Sequence, residues 1–317
     1  MSTYGDWPSP FLPDTEIQFA MDSTSMGVLK ECPRKYKLSI IDGWQPRGRS
    51  LHLRFGILFH SGLERYDHHK FSGSDHEESV DMVVDYLLQS TWDGRDENDE
   101  GGAPWDTGDT KKTRETLLRT VIWYLEEYRD DPAKTVILEN GKPAVELSFK
   151  FDLPFIAPND EPYIYCGHMD RLVTYADDIM VMDRKTSGST IGAYYFNQYS
   201  PDNQMSGYTL AGKVVYDMPV SGVIIDAAQI AVGFSAFARG FTMRSDGQLD
   251  EWLLNTGEWL RLARGFAERG NWPMNEKSCG NYGGCSFRGV CSKDPAVRQL
   301  FLESDFEKRL WNPLEER

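Results

Sequence analysis

The hydrophobic positions along the chain change their spacing near residue 140. Before that point apolar residues recur every three or four positions, which is typical of amphipathic helices. The helices predicted there are 25–41, 56–71, 78–90 and 111–129. After that point apolar and polar residues alternate, which is typical of strands. The elements predicted there are strands 144–153, 163–175 and 179–186, a helix at 202–216, strands near 220–232 and 234–243, and a helix at 248–269.

This order of elements predicts an α/β (α+β) fold in which helices flank a mixed β-sheet. Ser25 is expected to cap the first helix, and Pro33 is expected to bend or interrupt it because proline removes a helical hydrogen bond. Residues 176–178 are predicted to turn the strands on either side of them into a hairpin. The polar stretch 93–110 is predicted to be a mobile loop.

The chain is expected to have three parts. Residues 1–24 are interpreted as a leader, loose because its prolines prevent regular structure. Residues 25–303 are predicted to form a single domain that includes a helical insertion at 74–130 and a cysteine-containing segment at 278–291. Residues 304–317 are interpreted as a charged tail.

The composition favours a folded domain with a substantial core. Hydrophobic residues make up 40% of the 317 residues, and aromatic residues make up 13%. No run of about 18 uncharged apolar residues occurs, so neither a membrane-spanning helix nor a membrane partner is expected. The N-terminal residues lack a basic patch followed by an apolar stretch, so no secretory signal is expected.

The net charge of −15 argues against a nucleic-acid partner at first sight, because such partners need local positive potential. Most of that charge, however, belongs to one segment. Residues 74–110 hold twelve acids and one base, a net of −11, which is typical of a solvated helix and loop. Residues 28–70 hold nine Lys and Arg and four acids, a net of +5. A basic stretch therefore precedes the acidic one.

The strongest chemical signal is Asp170 on one predicted strand and Asp183-Arg184-Lys185 on the strand paired with it. Because side chains alternate along a strand, Asp183 and Lys185 are expected on one side and Arg184 on the other. Two carboxylates suit a hard divalent cation, and a lysine beside such a cation can orient or help to deprotonate water. The same residues also occur in hairpin ion pairs, so the motif alone leaves a structural role open.

Five further residues extend this pattern. Glu146 is on the polar side of the preceding strand, where a third carboxylate could reach the same metal. His60, beside the apolar stripe of the second helix, is either a half-buried structural histidine or a ligand, with Glu64 as its expected surface partner. Gln204 and Tyr208 are four residues apart on one helical face, which suits DNA contacts and also interface packing.

Together these residues resemble the PD-(D/E)XK nuclease superfamily, in its RecB-like exonuclease branch. The resemblance covers residues 25 to about 291, and its motifs are Gly56-x-x-x-His60, Glu146, Gly167-x-x-Asp170, Asp183-x-Lys185 and Gln204-x-x-x-Tyr208. It implies a restriction-endonuclease-like sheet core and a Mg²⁺ or Mn²⁺ ion. The implied metal ligands are His60, Asp170, Asp183 and the Arg184 carbonyl. Lys185 is implied as the catalytic lysine, Glu146 as a catalytic residue of variable role, and Gln204 and Tyr208 as neighbours of the DNA end.

Cys279, Cys285 and Cys291 are spaced C-x₅-C-x₅-C in a glycine-rich segment. Three thiolates on a short loop suit a soft metal that needs a fourth ligand, for which Cys32 is the best candidate. By resemblance to AddB-like and CRISPR-associated RecB-like exonucleases, these four cysteines would hold a [4Fe–4S] cluster that joins the N-terminal helices to the C-terminal segment. Four thiolates also suit Zn²⁺, which stays open as the alternative. Cys166, in a predicted strand, is expected to be a small buried residue.

The resemblance implies a metal-dependent DNA exonuclease acting on DNA ends or single strands in recombination, repair or phage DNA metabolism. Its expected contacts to the DNA backbone are Arg34, Lys35, Lys37, Arg47, Arg49 and Arg54. Trp44 and Tyr36 are either base-stacking or core residues. The alternative is a non-catalytic DNA-end-binding or recombination subunit that keeps the fold and the cluster. A recombination partner or a second copy of the chain is a possible partner, in the cytoplasm of a bacterium or a phage-infected host.

Overall fold

A computed structural model describes residues 8–48, 50–95 and 101–315 of the chain. Parts of four predictions lie outside the described residues. These parts are residues 1–7 of the leader, Arg49 among the DNA contacts, 96–100 of the predicted loop and 316–317 of the tail. The chain divides into two compact units. The first unit comprises Met1–Gly48, Ser148–Gly167 and Ser245–Arg317, and the second comprises Arg49–Leu147 and His168–Arg244.

The elements follow the predicted order, with several short additional ones. The helices are α1 (Ser23–Glu31), α2 (Pro33–Tyr36), α3 (Leu51–Phe71), α4 (His76–Ser90), α5 (Arg114–Glu127), α6 (Ala193–Asn197), α7 (Asn203–Val214), α8 (Asp246–Glu268), α9 (Arg288–Cys291) and α10 (Arg298–Asp305). The strands are β1 (Ala20–Met21), β2 (Trp44–Pro46), β3 (Trp92–Arg95), β4 (Gly101–Pro104), β5 (Lys134–Thr135), β6 (Val145–Ile156), β7 (Pro162–Tyr175), β8 (Asp178–Ser187), β9 (Val220–Ile230), β10 (Ser235–Met243) and β11 (Phe306–Lys308). A π-helical turn spans Lys37–Ile41, and 3₁₀ turns span Glu276–Gly283 and Pro295–Val297.

The second unit is built on a mixed sheet with helices packed on it, which confirms the predicted fold class. The last part of β7 pairs antiparallel with β8, β8 pairs parallel with β9, and β9 pairs antiparallel with β10. Ala176 and Asp177 form the turn between β7 and β8, with φ angles of 48° and 70°. Positive φ at both positions is typical of the type I′ turn that the strand twist favours. The predicted hairpin is confirmed, with a turn of two residues.

The apolar stripe of α3 fixes which side of this helix meets the rest of the second unit. Phe55, Phe59 and Leu63 are fully buried at the predicted spacing. They share a core with α4, α5 and the end of β9. Because each fully buried side chain of this size contributes roughly 1.5–3 kcal/mol, the orientation of α3 is strongly specified. The helix begins at Leu51, earlier than predicted.

The first unit contains the described part of the leader, and here the prediction of a loose segment is wrong. Phe11 and Ile17 are buried, and residues 20–21 pair in parallel with the start of β7. The three prolines lie outside β1, so their missing N–H groups do not interrupt its hydrogen bonds. Burial of apolar side chains therefore orders a segment in which proline excludes a helix.

The ends of α1 also differ from the prediction. The carboxylate of Asp22, and not the hydroxyl of Ser25, caps the helix by accepting the amide hydrogens of Ser25 and Thr24. Cys32 is extended, with φ −162° and ψ 113°, and ends α1. Pro33 then begins α2 at the first helical position, where proline is tolerated. The predicted interruption at Pro33 is confirmed.

Two further predictions are corrected by the packing. The described ends of the predicted loop 93–110 include a short hairpin, in which β3 pairs with β4 from Trp92↔Pro104 to Arg95↔Gly101. Trp44 and Tyr36 are 8% and 1% exposed, so they are core residues and do not offer faces to nucleic acid. Within the described part of the chain, each helix is too short or too polar to cross a bilayer.

Candidate metal and catalytic centre

Three metal-ligand side chains of the second unit converge on one point. His60 comes from the middle of α3, Glu146 from the start of β6, and Asp170 from β7. One ligand atom of each lies within 4.8 Å of the others, and the distance from His60 Nδ1 to Asp170 Oδ2 is 3.3 Å. Two carboxylates and one imidazole fit a small divalent cation such as Mg²⁺ or Mn²⁺. The Glu64 carboxylate lies 4.0 Å from His68 Nε2, and its expected pairing with His60 stays a prediction.

The backbone at Glu146 is in a conformation that is rare for this residue. Its φ angle is +47°, in the left-handed region, although the residue belongs to strand β6. Such a conformation costs on the order of 1 kcal/mol and persists only where the surroundings impose it. Strained residues of this kind concentrate at functional sites. Here the strained residue is the one that adds a second carboxylate to the group.

The alternation of side chains along β8 places two different ion pairs on opposite sides of the strand. Both carboxylate oxygens of Asp183 lie near the Lys185 Nζ atom, at 3.0 and 2.7 Å. On the other side of the strand, Arg184 Nη2 donates to Asp67 Oδ2 on α3 at 2.7 Å. Among the described residues the compact ligand group has three members, and Asp183 lies outside it. The predicted facing of Asp183 and Lys185 is thus present, while Asp183 is engaged with the lysine.

Asp170 also joins β7 to β8 beyond the end of their ladder. The last backbone pair of the hairpin is Arg171↔Met182. One step further, the Asp170 Oδ2 atom accepts the backbone N–H of Arg184 at 2.7 Å, in the place of a carbonyl oxygen. The carboxylate is thereby fixed in position before any ligand binds. Fixed ligands of this kind lower the cost of ordering a metal site.

Burial and neighbouring charges change the pKa values of four ionisable groups in opposite directions. The groups are His60, Asp170, Asp183 and Lys185. Burial raises the pKa of Asp183 to about 6, although Lys185 works against the change. For Asp170 burial also favours the neutral acid, but His60 and Lys185 overcome it and lower its pKa. Burial alone would lower the pKa values of His60 and Lys185, whereas the neighbouring carboxylates raise both. The result is a set of charges that compensate one another, in which the two aspartates are more deeply buried than His60 and Lys185.

Gln204 and Tyr208 continue this network into helix α7. Lys185 Nζ donates to Gln204 Oε1 at 3.0 Å, and Gln204 Nε2 donates to the Tyr208 hydroxyl at 3.0 Å. Tyr208 is 7% exposed. Their predicted placement on one helical face is therefore present, but that face meets the lysine. Whether they also contact DNA stays a prediction.

Asp67 supports the candidate centre from the other side of β8, and the sequence reasoning missed it. It follows His60 by seven residues, or about two helical turns, so both lie on the same side of α3. Its carboxylate pairs with Arg184 at 2.7 Å and lies 3.8 Å from Arg171. The seven-residue spacing from His60 was the available signal. Behind β8 the buried pairing continues through Asp131, Asp226 and Arg239.

Among the described residues, the basic side chains predicted to contact DNA have partners within the protein. Lys35 pairs with Glu31 at 2.7 Å, and Arg34 Nε donates to the Trp272 carbonyl at 3.1 Å. The partners of the others are Glu16 and Asp42 for Lys37, the carbonyls of Glu303 and Ser304 for Arg47, and Asp93 for Arg54. DNA binding by these residues stays a prediction.

The cysteines of the predicted cluster lie in the first unit, on short irregular elements. Gly283 and Gly284 have φ angles of 87° and 111°, which lets the chain reverse so that the Cys285 amide bonds the Cys279 carbonyl at 3.0 Å. Cys285 and Cys291 pack against one apolar cluster. Burial raises the pKa of the Cys291 thiol, and the nearby thiols of Cys285 and Cys32 raise it further.

The fourth predicted ligand, Cys32, is tied to the same region by the chain that precedes Cys279. The backbone amide of Asn275 donates to Cys32 Sγ at 3.4 Å, and its side-chain amide donates to the Glu31 carbonyl at 2.8 Å. Arg34 acts on the Cys291 thiol in the direction opposite to burial. Cys166 is 2% exposed, as predicted for a small buried residue.

Comparison with known proteins identifies the family to which this chain is similar. The profile of the PD-(D/E)XK nuclease superfamily matches residues 23–292. Among solved structures, the chain is similar to a protein from Eubacterium rectale that is named provisionally as an exonuclease, with 13% identity, a TM-score of 0.45, and coverage of 78% of this chain and 82% of that one. It is also similar to SSO0001, with 13% identity, a TM-score of 0.26, and coverage of 45% and 59%. A search of curated proteins found no match.

Proposed function

Since the chain belongs to the PD-(D/E)XK nuclease superfamily, we propose that it is a metal-dependent DNA exonuclease of the RecB-like branch, acting on DNA ends or single strands. The observation that carries the proposal is the convergence of His60, Glu146 and Asp170 within 4.8 Å, beside an ion-paired lysine. Hydrolysis of a phosphodiester requires stabilisation of negative charge and an activated water. This group of residues can supply both.

The proposed metal ligands are His60, Glu146 and Asp170, with Asp183 and the Arg184 carbonyl as further ligands. The cation is Mg²⁺ or Mn²⁺, because carboxylate oxygens dominate the donor set. When bound, it would lower the pKa of a water molecule and neutralise charge on the phosphate. The bond from the Arg184 amide to Asp170 keeps one carboxylate aimed without help from solvent.

Lys185 is the proposed catalytic lysine. An ammonium group has three N–H donors. Asp183 and Gln204 each accept one of them in this structure. A donor therefore remains for the attacking water or for a phosphate oxygen, where it would orient the water and stabilise charge in the transition state. Gln204 and Tyr208 act as positioning residues for this amine, and we propose that they also lie near the DNA end.

We further propose that Cys32, Cys279, Cys285 and Cys291 hold a [4Fe–4S] cluster, with Zn²⁺ as the alternative. The support is the packing of Cys285 and Cys291 against one apolar cluster, the bond from the Asn275 amide to Cys32 Sγ, and the return of the chain at Cys279. Thiolates are the ligands that iron–sulfur clusters and zinc prefer. A brown protein with broad visible absorbance after anaerobic purification is expected for iron–sulfur. A colourless protein with stoichiometric zinc would reject it.

The proposed setting is recombination, repair or phage DNA metabolism in the cytoplasm. Arg34, Lys35 and the other basic residues of 28–70 are the proposed contacts to the DNA backbone, which would make binding weaker as the salt concentration rises. A partner protein or a second copy of the chain would add to this surface.

The test is degradation of end-labelled single-stranded and duplex DNA in Mg²⁺ or Mn²⁺, with EDTA as the negative control. Asp170→Asn and Lys185→Met are expected to slow the reaction by about 10²–10³-fold, because each removes charge stabilisation at the reacting phosphate. Lys134→Met, which removes an exposed lysine on β5, is the matched control and should leave the rate unchanged. If wild type and both variants bind DNA and leave it equally intact, the non-catalytic DNA-end-binding alternative is correct.

A further inference from the structure

An exposed aromatic side chain stands on a short helix between two elements of the catalytic centre. Tyr194 of α6 is 94% exposed, far more than the other large hydrophobic side chains of the described residues. A tyrosine gains nothing from exposing its ring to water, because the ring has a large apolar surface. Within the described residues, the side chain of Tyr194 has no hydrogen bond or ring contact. Tyr194 therefore does not contribute to the core, and its exposed ring is suited to binding a ligand.

The chain on both sides of α6 leads to the catalytic lysine. Before α6, β8 contributes Lys185, and after α6, the first turn of α7 contributes Gln204. The two side chains meet at Lys185 Nζ, with a separation of 3.0 Å from Gln204 Oε1. The segment that carries Tyr194 therefore leaves the centre and returns to it within fewer than twenty residues.

The packing of α6 places it over the row of the sheet that contains Asp183. Asp183 pairs with Ile225 of β9, and Ile225 pairs with Gly240 of β10. Neighbouring strands are about 4.8 Å apart, so Gly240 lies about 10 Å from Asp183. The Phe196 ring occupies the space that a side chain at position 240 would fill. The helix is thereby seated close to the catalytic pair.

Other contacts hold α6 in a fixed orientation. The Tyr195 and Tyr199 rings lie 5.7 Å apart, with a hydroxyl-to-hydroxyl distance of 3.1 Å. The Tyr199 carbonyl accepts hydrogen bonds from Thr242 Oγ1 at 3.1 Å and Arg244 Nη2 at 2.9 Å. Since successive helical residues point about 100° apart, the inward Tyr195 and Phe196 direct Tyr194 outward. The ring is exposed on a rigid support, which lowers the entropy cost of binding.

We infer that Tyr194 is a base-stacking subsite that receives an unpaired nucleobase close to the scissile phosphate. The inference rests on the proposed nuclease function and names its substrate class, a single strand or a frayed DNA end. Every nucleobase has a π-face, so stacking on tyrosine would be tolerant of sequence. A base inside a duplex is already stacked on both faces and cannot use this ring.

The experiment measures the affinity for a single-stranded oligonucleotide with metal chelated, and then kcat and KM in Mg²⁺. Tyr194→Ala is expected to weaken binding and raise KM by about 5- to 150-fold, with kcat at saturation within about twofold of wild type. Tyr194→Phe and Tyr194→Trp, which keep a ring, should bind within about threefold of wild type. Phe71→Ala is the matched control: Phe71 is 47% exposed and lies about 16 Å along α3 from His60.

An abasic scan separates stacking from general surface effects. Replacing the stacked nucleotide by an abasic one should weaken wild-type binding by the same factor as Tyr194→Ala, and should not weaken Tyr194→Ala further. The inference is overturned if wild type cleaves DNA while Tyr194→Ala matches it, or if every abasic position affects both proteins equally. If wild type neither binds nor cleaves nucleic acid, the proposed function itself is wrong, which is a different result.

Discussion

The candidate centre of the second unit and the cysteine segment of the first differ in how they carry potential metal-ligand side chains. Within the described part of the chain, His60, Glu146 and Asp170 form a compact ligand group, and the cysteines do not. In the centre, His60 and Asp170 come from a long helix and a long strand, and buried ion pairs fix both elements. In the cysteine segment, the three cysteines come from a 3₁₀ turn, a glycine loop and a helix of one turn. The first arrangement is organised by the fold. The cysteine segment is built on short elements, and under the function proposed above it would depend on a bound metal for part of its order.

The largest expected effect follows from this dependence. Cys291→Ser should abolish the bound metal and make 276–291 the first site of proteolysis, because metal binding contributes on the order of 10 kcal/mol in small metal-stabilised domains. The measurement is metal content together with limited proteolysis read by mass spectrometry. Cys166→Ser is the matched control, since Cys166 is a buried thiol of the same unit that lies outside the predicted ligand set. Equal metal content in the two variants would remove Cys291 from the site.

The next largest effect concerns the pair that fixes α3 against β8. Asp67→Ala leaves the Arg184 guanidinium buried without its carboxylate, so we expect a loss of about 3–5 kcal/mol in the free energy of unfolding. Metal affinity should fall with it, because His60 lies on the same helix. Denaturant titration and metal titration measure the two effects. Asp93→Ala removes the partner of Arg54 at the surface and should cost no more than about 1 kcal/mol. Similar losses of unfolding free energy for Asp67→Ala and Asp93→Ala would contradict the expectation that the buried pair matters more than the surface pair.

The smallest expected effect is a pH dependence of stability that arises from the ion pair of Asp131 with Arg239. Burial alone would raise the pKa of Asp131, but its paired contacts with Arg239 at 2.6 and 2.8 Å overcome burial and lower it. A lowered carboxylate pKa adds stability above its ordinary value of 3.8, and this stability disappears as the pH falls through the lowered value. We therefore expect Asp131→Asn to be less stable than wild type by about 1–2 kcal/mol at pH 7. The difference should shrink below pH 4.

Denaturant midpoints measured across pH test this expectation, with Asp130→Asn as the control at an exposed neighbouring carboxylate. A difference between wild type and Asp131→Asn that stays constant to low pH would show that Asp131 contributes through packing instead of charge.

The sequence predicted the long elements because each carries enough apolar residues in a recognisable pattern. The stripe of Phe55, Phe59 and Leu63 follows from one buried face of α3, whereas β7 and β8 are buried on both faces along 169–173 and 180–184. The elements that it missed, such as β1 and α6, are too short to carry a period. They are defined by what they pack against, as Phe196 is by Gly240. Local pattern cannot contain that information.

Some features of the candidate site were also predictable from local pattern, and others were not. Alternation alone predicted that Asp183 and Lys185 face together and that Arg184 faces away. The bond from Lys185 to Gln204 joins residues from two elements, and the left-handed backbone of Glu146 is imposed by its neighbours. Both depend on tertiary contacts that a single sequence does not reveal.

The opposite faces of β8 also suggest how the molecule could be re-engineered. Asp183 and Lys185 lie on the proposed catalytic side of β8. Arg184 lies on the opposite side and holds the strand in place through its ion pair with Asp67. Asp183→Asn combined with Lys185→Met would replace the charged pair by side chains of similar shape and leave the anchor intact. Under the proposed function, the product would be a capture reagent, one that retains a DNA terminus without hydrolysing it.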